Sequence, residues 1–183
     1  MSKYFYHYPQ EVHDSISRVL EQWAQVWPGL DVSPVAVIAR MARIRAIVEA
    51  EQARVFTTFG ITPADFPVLA TLRRAPAPHQ LTHGQLAGEL GLAPGSITPR
   101  IDHLRKAGLV ARRTDEADGR VRWARLTPHG LDVVNEVIPI HLEMEARLLS
   151  GIDAECRDRL ASDLAALLAS LETTGAQPEP GHP

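Results

Sequence analysis

The chain has 183 residues, 45% hydrophobic and 22% charged, with a formal net charge of −3, which suits one soluble domain with an extension. No run of 18 or more apolar residues is present, so a membrane span is excluded, and MSKYFYHYPQ lacks the apolar region of a secretory signal. The single cysteine, Cys156, excludes an internal disulfide and suits a reducing cytoplasm; with no CxxC, HExxH or glycine-rich phosphate loop, and eight scattered histidines, no metal, cofactor or enzymatic chemistry is expected.

In chain order, Val12, Ile16, Val19, Leu20, Trp23, Val26 and Trp27 recur at helical spacing and predict an amphipathic helix stopped by Pro28-Gly29. Ser33-Pro34 reads as a cap with proline in the first turn, opening a long helix to about Phe59 with Ile38, Met41, Ile44, Val48 and Val55 inward. Thr62-Pro63 starts a helix to about Arg74, and APAPHQ is a loop. LTHGQL is a dense helix start: Thr82 caps, Gln85 reaches back, and Leu81 and Leu86 form a staple. That short helix ends at Gly91. A second, with Ile97, Ile101 and Leu104 on one face, ends at Gly108, so the pair reads as a helix-turn-helix. LVARR and RVRWARL, separated by TDEADG, predict a β-hairpin. Thr127-Pro128 opens a helix to about Leu149. A last helix from Asp153 carries a stripe of Leu160, Leu164, Leu167, Leu168 and Leu171, followed by a disordered tail.

The charge is uneven. Between Pro94 and Arg125 there are eight basic and four acidic residues, a local +4 that leaves −7 for the rest. A basic window of this kind is where a polyanion docks. With Ile97, Ile101 and Leu104 locking the second helix, Ser96, Thr98, Pro99, Arg100 and His103 remain to meet base edges or phosphates. Pro99 fits only if it lies in the first turn, which places the cap at Ser96. The hairpin reads as a wing. Arg120 near its tip reaches a minor groove, oriented by Asp118. Arg122 meets phosphate, Arg125 pairs within the protein, and Trp123 packs inward.

From about Val35 to Leu171, this order of elements resembles the MarR family of bacterial transcription regulators. The resemblance is carried by Asp118-x-Arg120 with Leu126, Thr127 and Gly130, and by LAGELGL followed by SIT.RIDHLRKAGLV. It implies an obligate homodimer formed by interleaved terminal segments, binding pseudo-palindromic double-stranded DNA. It also implies release by small anionic or aromatic molecules. Pro99 departs from the asparagine common there. The extra N-terminal helix and WPGLDVSP look like a subgroup that includes urate-responsive repressors. That subgroup's effector site maps onto Trp23 or Trp27, Arg100 and Arg112, with Pro67 standing where the subgroup has aspartate.

The expected fold is mainly α with a small β-hairpin wing, a winged helix-turn-helix plus a helical dimerisation domain. Expected boundaries are 1–59 for the extra and first dimerisation helices, 60–127 for the DNA-binding lobe, 128–172 for the C-terminal dimerisation helices and 173–183 for the tail. The expected function is a cytoplasmic, homodimeric repressor released from its operator by a small-molecule effector. The alternative is a redox-sensing regulator using Cys156.

Overall fold

Local signals decide where most elements begin. The computed structural model describes residues 13–115 and 118–175. Helix α1 (Ser15–Val26) starts at Asp14, whose carboxylate accepts from the amides of Ile16 and Ser17 while Ser17 reaches back. Helix α2 (Ser33–Thr57) starts at the expected cap itself, with Val32 in the cap position one residue earlier, because Asp31 takes the amide of Ser33 (2.9 Å) and Ser33 joins the helix. Helix α3 (Phe66–Arg74) begins later than Thr62. Asp65 accepts from both the amide and the hydroxyl of Thr62 and closes a turn before the helix.

The segment expected as a loop contributes a strand, β1 (Gln80–Thr82). It is followed directly by α4 (His83–Glu89), capped as expected by the reciprocal bonds of Thr82 and Gln85. A 3₁₀ turn (Pro94–Ser96) leads into α5 (Ile97–Lys106). Strands β2 (Val110–Thr114) and β3 (Arg122–Leu126) form the hairpin, and β1 pairs antiparallel with the free edge of β3, giving the order β1-β3-β2. Helix α6 (Pro128–Leu148) and helix α7 (Ala154–Gly175) follow. The protein is therefore mainly helical with a three-stranded antiparallel wing. Helix α7 runs to Gly175, three residues into the segment expected as a tail; residues 176–183 lie outside the described residues.

By internal contacts the chain divides within α6, into a unit ending at Ile140 and one beginning at His141. The first unit holds a core built from α2, α3, α4, α5, the sheet and the start of α6. Phe56, Leu69, Leu72, Leu86, Ile97 and Ile101 are among its members, and Phe56 stacks on Phe66 at 4.6 Å. Burying several such side chains, each contributing about 1.5–3 kcal/mol, is what fixes α5 against the sheet. Gly130 is set tightly against this core. A β-carbon there would lie 1.9 Å from the carbonyl oxygen of Leu109, the oxygen that accepts from the amide of Thr127.

The inward face expected on α2 is not covered within one chain: Ile38, Met41 and Ile44 are exposed, Val48 is half-buried, and only Val55 packs on the core. In the second unit Leu160, Leu164, Leu168 and Leu171 are likewise exposed and Leu167 half-buried. Helix α1 packs on α2 through Arg40. Its guanidinium holds the Asp14 carboxylate at 2.7 and 3.1 Å and also reaches Ser17 and the carbonyl of Ala36.

Candidate nucleic-acid interface

Helix α5 is held by its apolar side. Ile97, Ile101 and Leu104 are fully buried, and Pro99 occupies the third helical position, where its missing N–H costs nothing. Ser96 stands at the expected cap, but its side chain makes no capping bond; the preceding 3₁₀ turn supplies the entry instead. Ser96 and Pro99 are exposed.

The two flanks of α5 are both tied down. On one, Arg100 donates to the carbonyl of Ala64 (3.1 Å) and His103 Nδ1 donates to Asp65 Oδ2 (2.9 Å). Asp65 is only 2% exposed and accepts from Thr62 as well, so a buried carboxylate is satisfied by three donors. Arg100 and His103 were expected to face bases; both turn toward the segment before α3, because Asp65 and the Ala64 carbonyl lie within their reach. On the other flank Asp102 takes Arg112 of β2 at 3.2 Å and Arg105 at 3.8 Å.

The wing tip is shaped by carboxylates. Asp118 accepts from the amide of Arg120 (2.9 Å), so it shapes the turn through the backbone rather than gripping the guanidinium. Asp115 accepts from the amide of Asp118 and from Trp123 Nε1 (3.0 Å). Trp123 does not pack into the core as expected. In β3 the buried parity belongs to Ala124 and Leu126, so Trp123 lies half-buried on the opposite face, with Arg113 5.9 Å from its ring centroid. Arg125 shares that outer face, is exposed, and has no carboxylate partner among the described residues; its cross-strand neighbours are Gln80 and Ala111.

Arg122 shares the parity of Ala124 and, at the strand's open end, reaches a groove of about 710 Å³. This groove is lined by Thr82, His83, Gly84, Thr98 and residues 119–122. It brings Thr98 of α5 together with Arg120 and Arg122 of the wing. Both arginines are exposed and unpaired among the described residues. Burial, then the guanidinium groups of Arg112 and Arg122, hold the His83 imidazole below the ordinary histidine range, against the opposing pull of Asp102. Sequence reasoning missed Asp65, His83 and Asp115. Asp65, three residues after Thr62, and Asp115, beside the turn residues, left local signals; His83 left none.

Each of the residues proposed for an effector has its own place in the chain. Arg100 and Arg112 are engaged on opposite flanks of α5, and Trp23 lies on α1, which packs on α2. Cys156 is half-buried in the first turn of α7, its amide donating to Asp153 at 2.7 Å. Among the described residues there is no helix long and apolar enough to cross a membrane and no cluster of metal-ligating side chains.

Residues 59–121 match the family profile described as MarR family. The chain is 32% identical over 145 residues to the HTH-type transcriptional regulator PecS of Dickeya dadantii (strain 3937), a match covering 79% of this chain and 87% of that protein. Among solved structures it is similar to Sco3205, a MarR family transcriptional regulator from Streptomyces coelicolor, in complex with DNA. That likeness has a TM-score of 0.70 and 19% identity, over 84% of this chain and 94% of that one. The S. aureus MepR–DNA complex matches with a TM-score of 0.67 and 23% identity, over 73% and 98%. At these identities the two structures speak to the fold.

Proposed function

The chain belongs to the MarR family of DNA-binding transcriptional regulators, and from that premise we propose that it acts in the cytoplasm as a homodimeric repressor of a pseudo-palindromic operator, released by a small anionic molecule. The observation that carries the DNA-binding half is the wing groove. It sets Thr98 of the recognition helix beside Arg120 and Arg122, two exposed cations with no carboxylate partner among the described residues. Unpaired guanidinium groups beside a helix that fits a major groove are what phosphate and minor-groove contacts require. Ser96, Thr98 and Pro99 are the candidate major-groove residues, with Arg100 and His103 at its margin; Asp118 shapes the tip for Arg120.

The dimer is supported by two uncovered apolar faces, Ile38, Met41 and Ile44 on α2 and Leu160, Leu164 and Leu168 on α7. Exposed stripes of this kind mark interaction surfaces, and two lobes held about 34–36 Å apart would read two half-sites on one face of B-DNA. An anionic effector that drew Arg100 from the Ala64 carbonyl would free one flank of α5 and shift the population away from the operator-matched spacing.

The test is in vitro selection of duplexes on the full chain, followed by footprinting. A selected site with two-fold symmetry, bound with two chains per duplex, is the expected result. Absence of any enriched duplex removes the proposal.

A further inference from the structure

The wing groove holds one polar atom that the contacts above leave unexplained. His83 is half-buried, with Thr98, Arg120, Val121 and Arg122 forming the walls around it. Its Nε2 is wholly buried and has no hydrogen-bond partner among the described residues. Buried polar side-chain atoms in folded proteins are overwhelmingly partnered. One that is not, in a groove edged by two guanidinium groups without a carboxylate partner among the described residues, points to a negatively charged partner arriving there.

The charged groups facing the ring come from three elements: Arg112 on β2, Arg122 on β3 and Asp102 on α5. Arg120 completes the groove at the tip. Two cations against one anion, together with burial, keep the imidazole uncharged in the free protein. An anion that enters beside Arg120 and Arg122 cancels the field that does this.

We propose that His83 is a further DNA-binding determinant: it is neutral in the free protein and takes up a proton when duplex phosphate fills the groove. This rests on the DNA-binding reading given above. The proton comes from solvent and bonds to the unprotonated ring nitrogen; no other bond changes. His83 acts through the field and hydrogen bonding of the groove, so it is a positioning residue for Arg120 and Arg122.

The sign follows from linkage. The free protein holds the ring below its ordinary range and bound phosphate raises it, so the complex binds more protons than its parts. Affinity then rises as pH falls through the bound-state value and levels off below the free-state value. The slope of log affinity against pH is limited to about −1 for each lobe engaged, and is about −0.5 at its steepest when the bound and free rings differ about tenfold in proton affinity.

The experiment is fluorescence anisotropy of the full chain on a mixed-sequence duplex of about 30 base pairs, long enough for two half-sites. It runs at fixed salt from about pH 5.5 to pH 8, spanning the histidine range. Wild type is compared with His83→Gln, which keeps hydrogen-bonding capacity but does not titrate. His129→Gln, on the exposed first turn of α6, controls for general histidine charge. Wild type and His129→Gln are expected to gain about tenfold or more in affinity toward low pH, as follows when the bound ring holds its proton about ten times more tightly than the free one. His83→Gln is expected to lose most of that gain. A wild-type gain that survives in His83→Gln overturns the inference. Independently of any variant's folding, the His83 ring resonance of wild type is titrated free and DNA-bound; identical midpoints also overturn it. If wild type binds no duplex at any pH, the DNA-binding reading falls and this inference with it. Binding with an unaltered pH slope in His83→Gln removes this inference alone.

Discussion

Replacing Arg122 with alanine isolates a charge with little structural cost. Arg122 is exposed at the open end of β3, opposite Thr114, and no acidic group among the described residues is paired with it. Its loss therefore strands no carboxylate, and a surface change of this kind stays within about 0.5 kcal/mol of neutral. Arg112→Ala is the contrasting case, since it leaves Asp102 without its 3.2 Å partner. If Arg122 neutralises one phosphate, it contributes about 0.9 to the slope of log affinity against log salt, and two wings in a dimer contribute about 1.8. Between about 50 and 200 mM salt this changes the affinity ratio of wild type to variant about twelvefold. The assay is a salt titration by anisotropy, on the selected operator and on an unrelated duplex. The slope should fall by the same amount on both, because phosphate carries no sequence. An unchanged slope, with or without weaker binding, refutes the assignment of Arg122 to phosphate.

Arg120→Ala should instead weaken binding most on operators with A·T-rich flanks, whose narrow minor groove has the strongest negative potential; equal losses on G·C-flanked duplexes would show that it reads no groove. Gly130→Ala places a β-carbon 1.9 Å from the Leu109 carbonyl and should lower unfolding stability by about 1–3 kcal/mol, read from urea midpoints at unchanged slope. Arg40→Ala removes both bonds to Asp14 and should free α1, read as faster chymotryptic cleavage after Trp23. The hydrogen bond from Arg40 holds the Asp14 carboxyl well below its ordinary value of 3.8, so in wild type this docking is complete above that value and is lost only as pH falls through the lowered one. Ile44→Glu and Leu164→Glu, each on an exposed apolar face, should give monomers by sedimentation at micromolar concentration; dimers in both would place the interface elsewhere.

What was legible in the sequence was what is decided locally. The reciprocal caps of Thr82 and Gln85, the hydroxyl of Thr127 over Gly130, and the placement of Pro99 in a first turn each depend on residues within a few positions. Strand β1 was not legible, because three residues are too few to show alternation and its existence depends on β3, more than forty positions on. Trp123 was assigned to the wrong face because the outward side was given to Arg122, whose parity is opposite, while the strand's buried parity is that of Ala124 and Leu126, which Arg122 shares. Ile38, Met41 and Ile44 of α2 read as core, and in a single chain they are surface. A helical pattern reports that a face is to be covered, not which molecule covers it. The bond between His103 and Asp65 spans 38 positions and carries no sequence signal at all.

That last bond changes how the recognition helix is to be understood. A helix whose only fixed side were its apolar stripe would be free to rock about that stripe. Helix α5 is not in that position. Arg100 and His103 bind one flank to the segment before α3, and Asp102 binds the other to β2 through Arg112. Asp65 is buried and needs its three donors, so letting His103 go would leave a desolvated carboxylate short of one. The outward surface left for bases is narrow, with Ser96 and Pro99 exposed at its start and Thr98 turned to the wing groove. On the proposed function, recognition then depends on α5, the wing and the α2–α3 connection as one bonded assembly. A signal that displaces that assembly, or that breaks one of the two flank attachments, would then alter DNA affinity. Of the two, the Arg100 bond to a backbone carbonyl is the weaker. It joins a charged donor to a neutral acceptor, whereas the Arg112 bond joins two opposite charges.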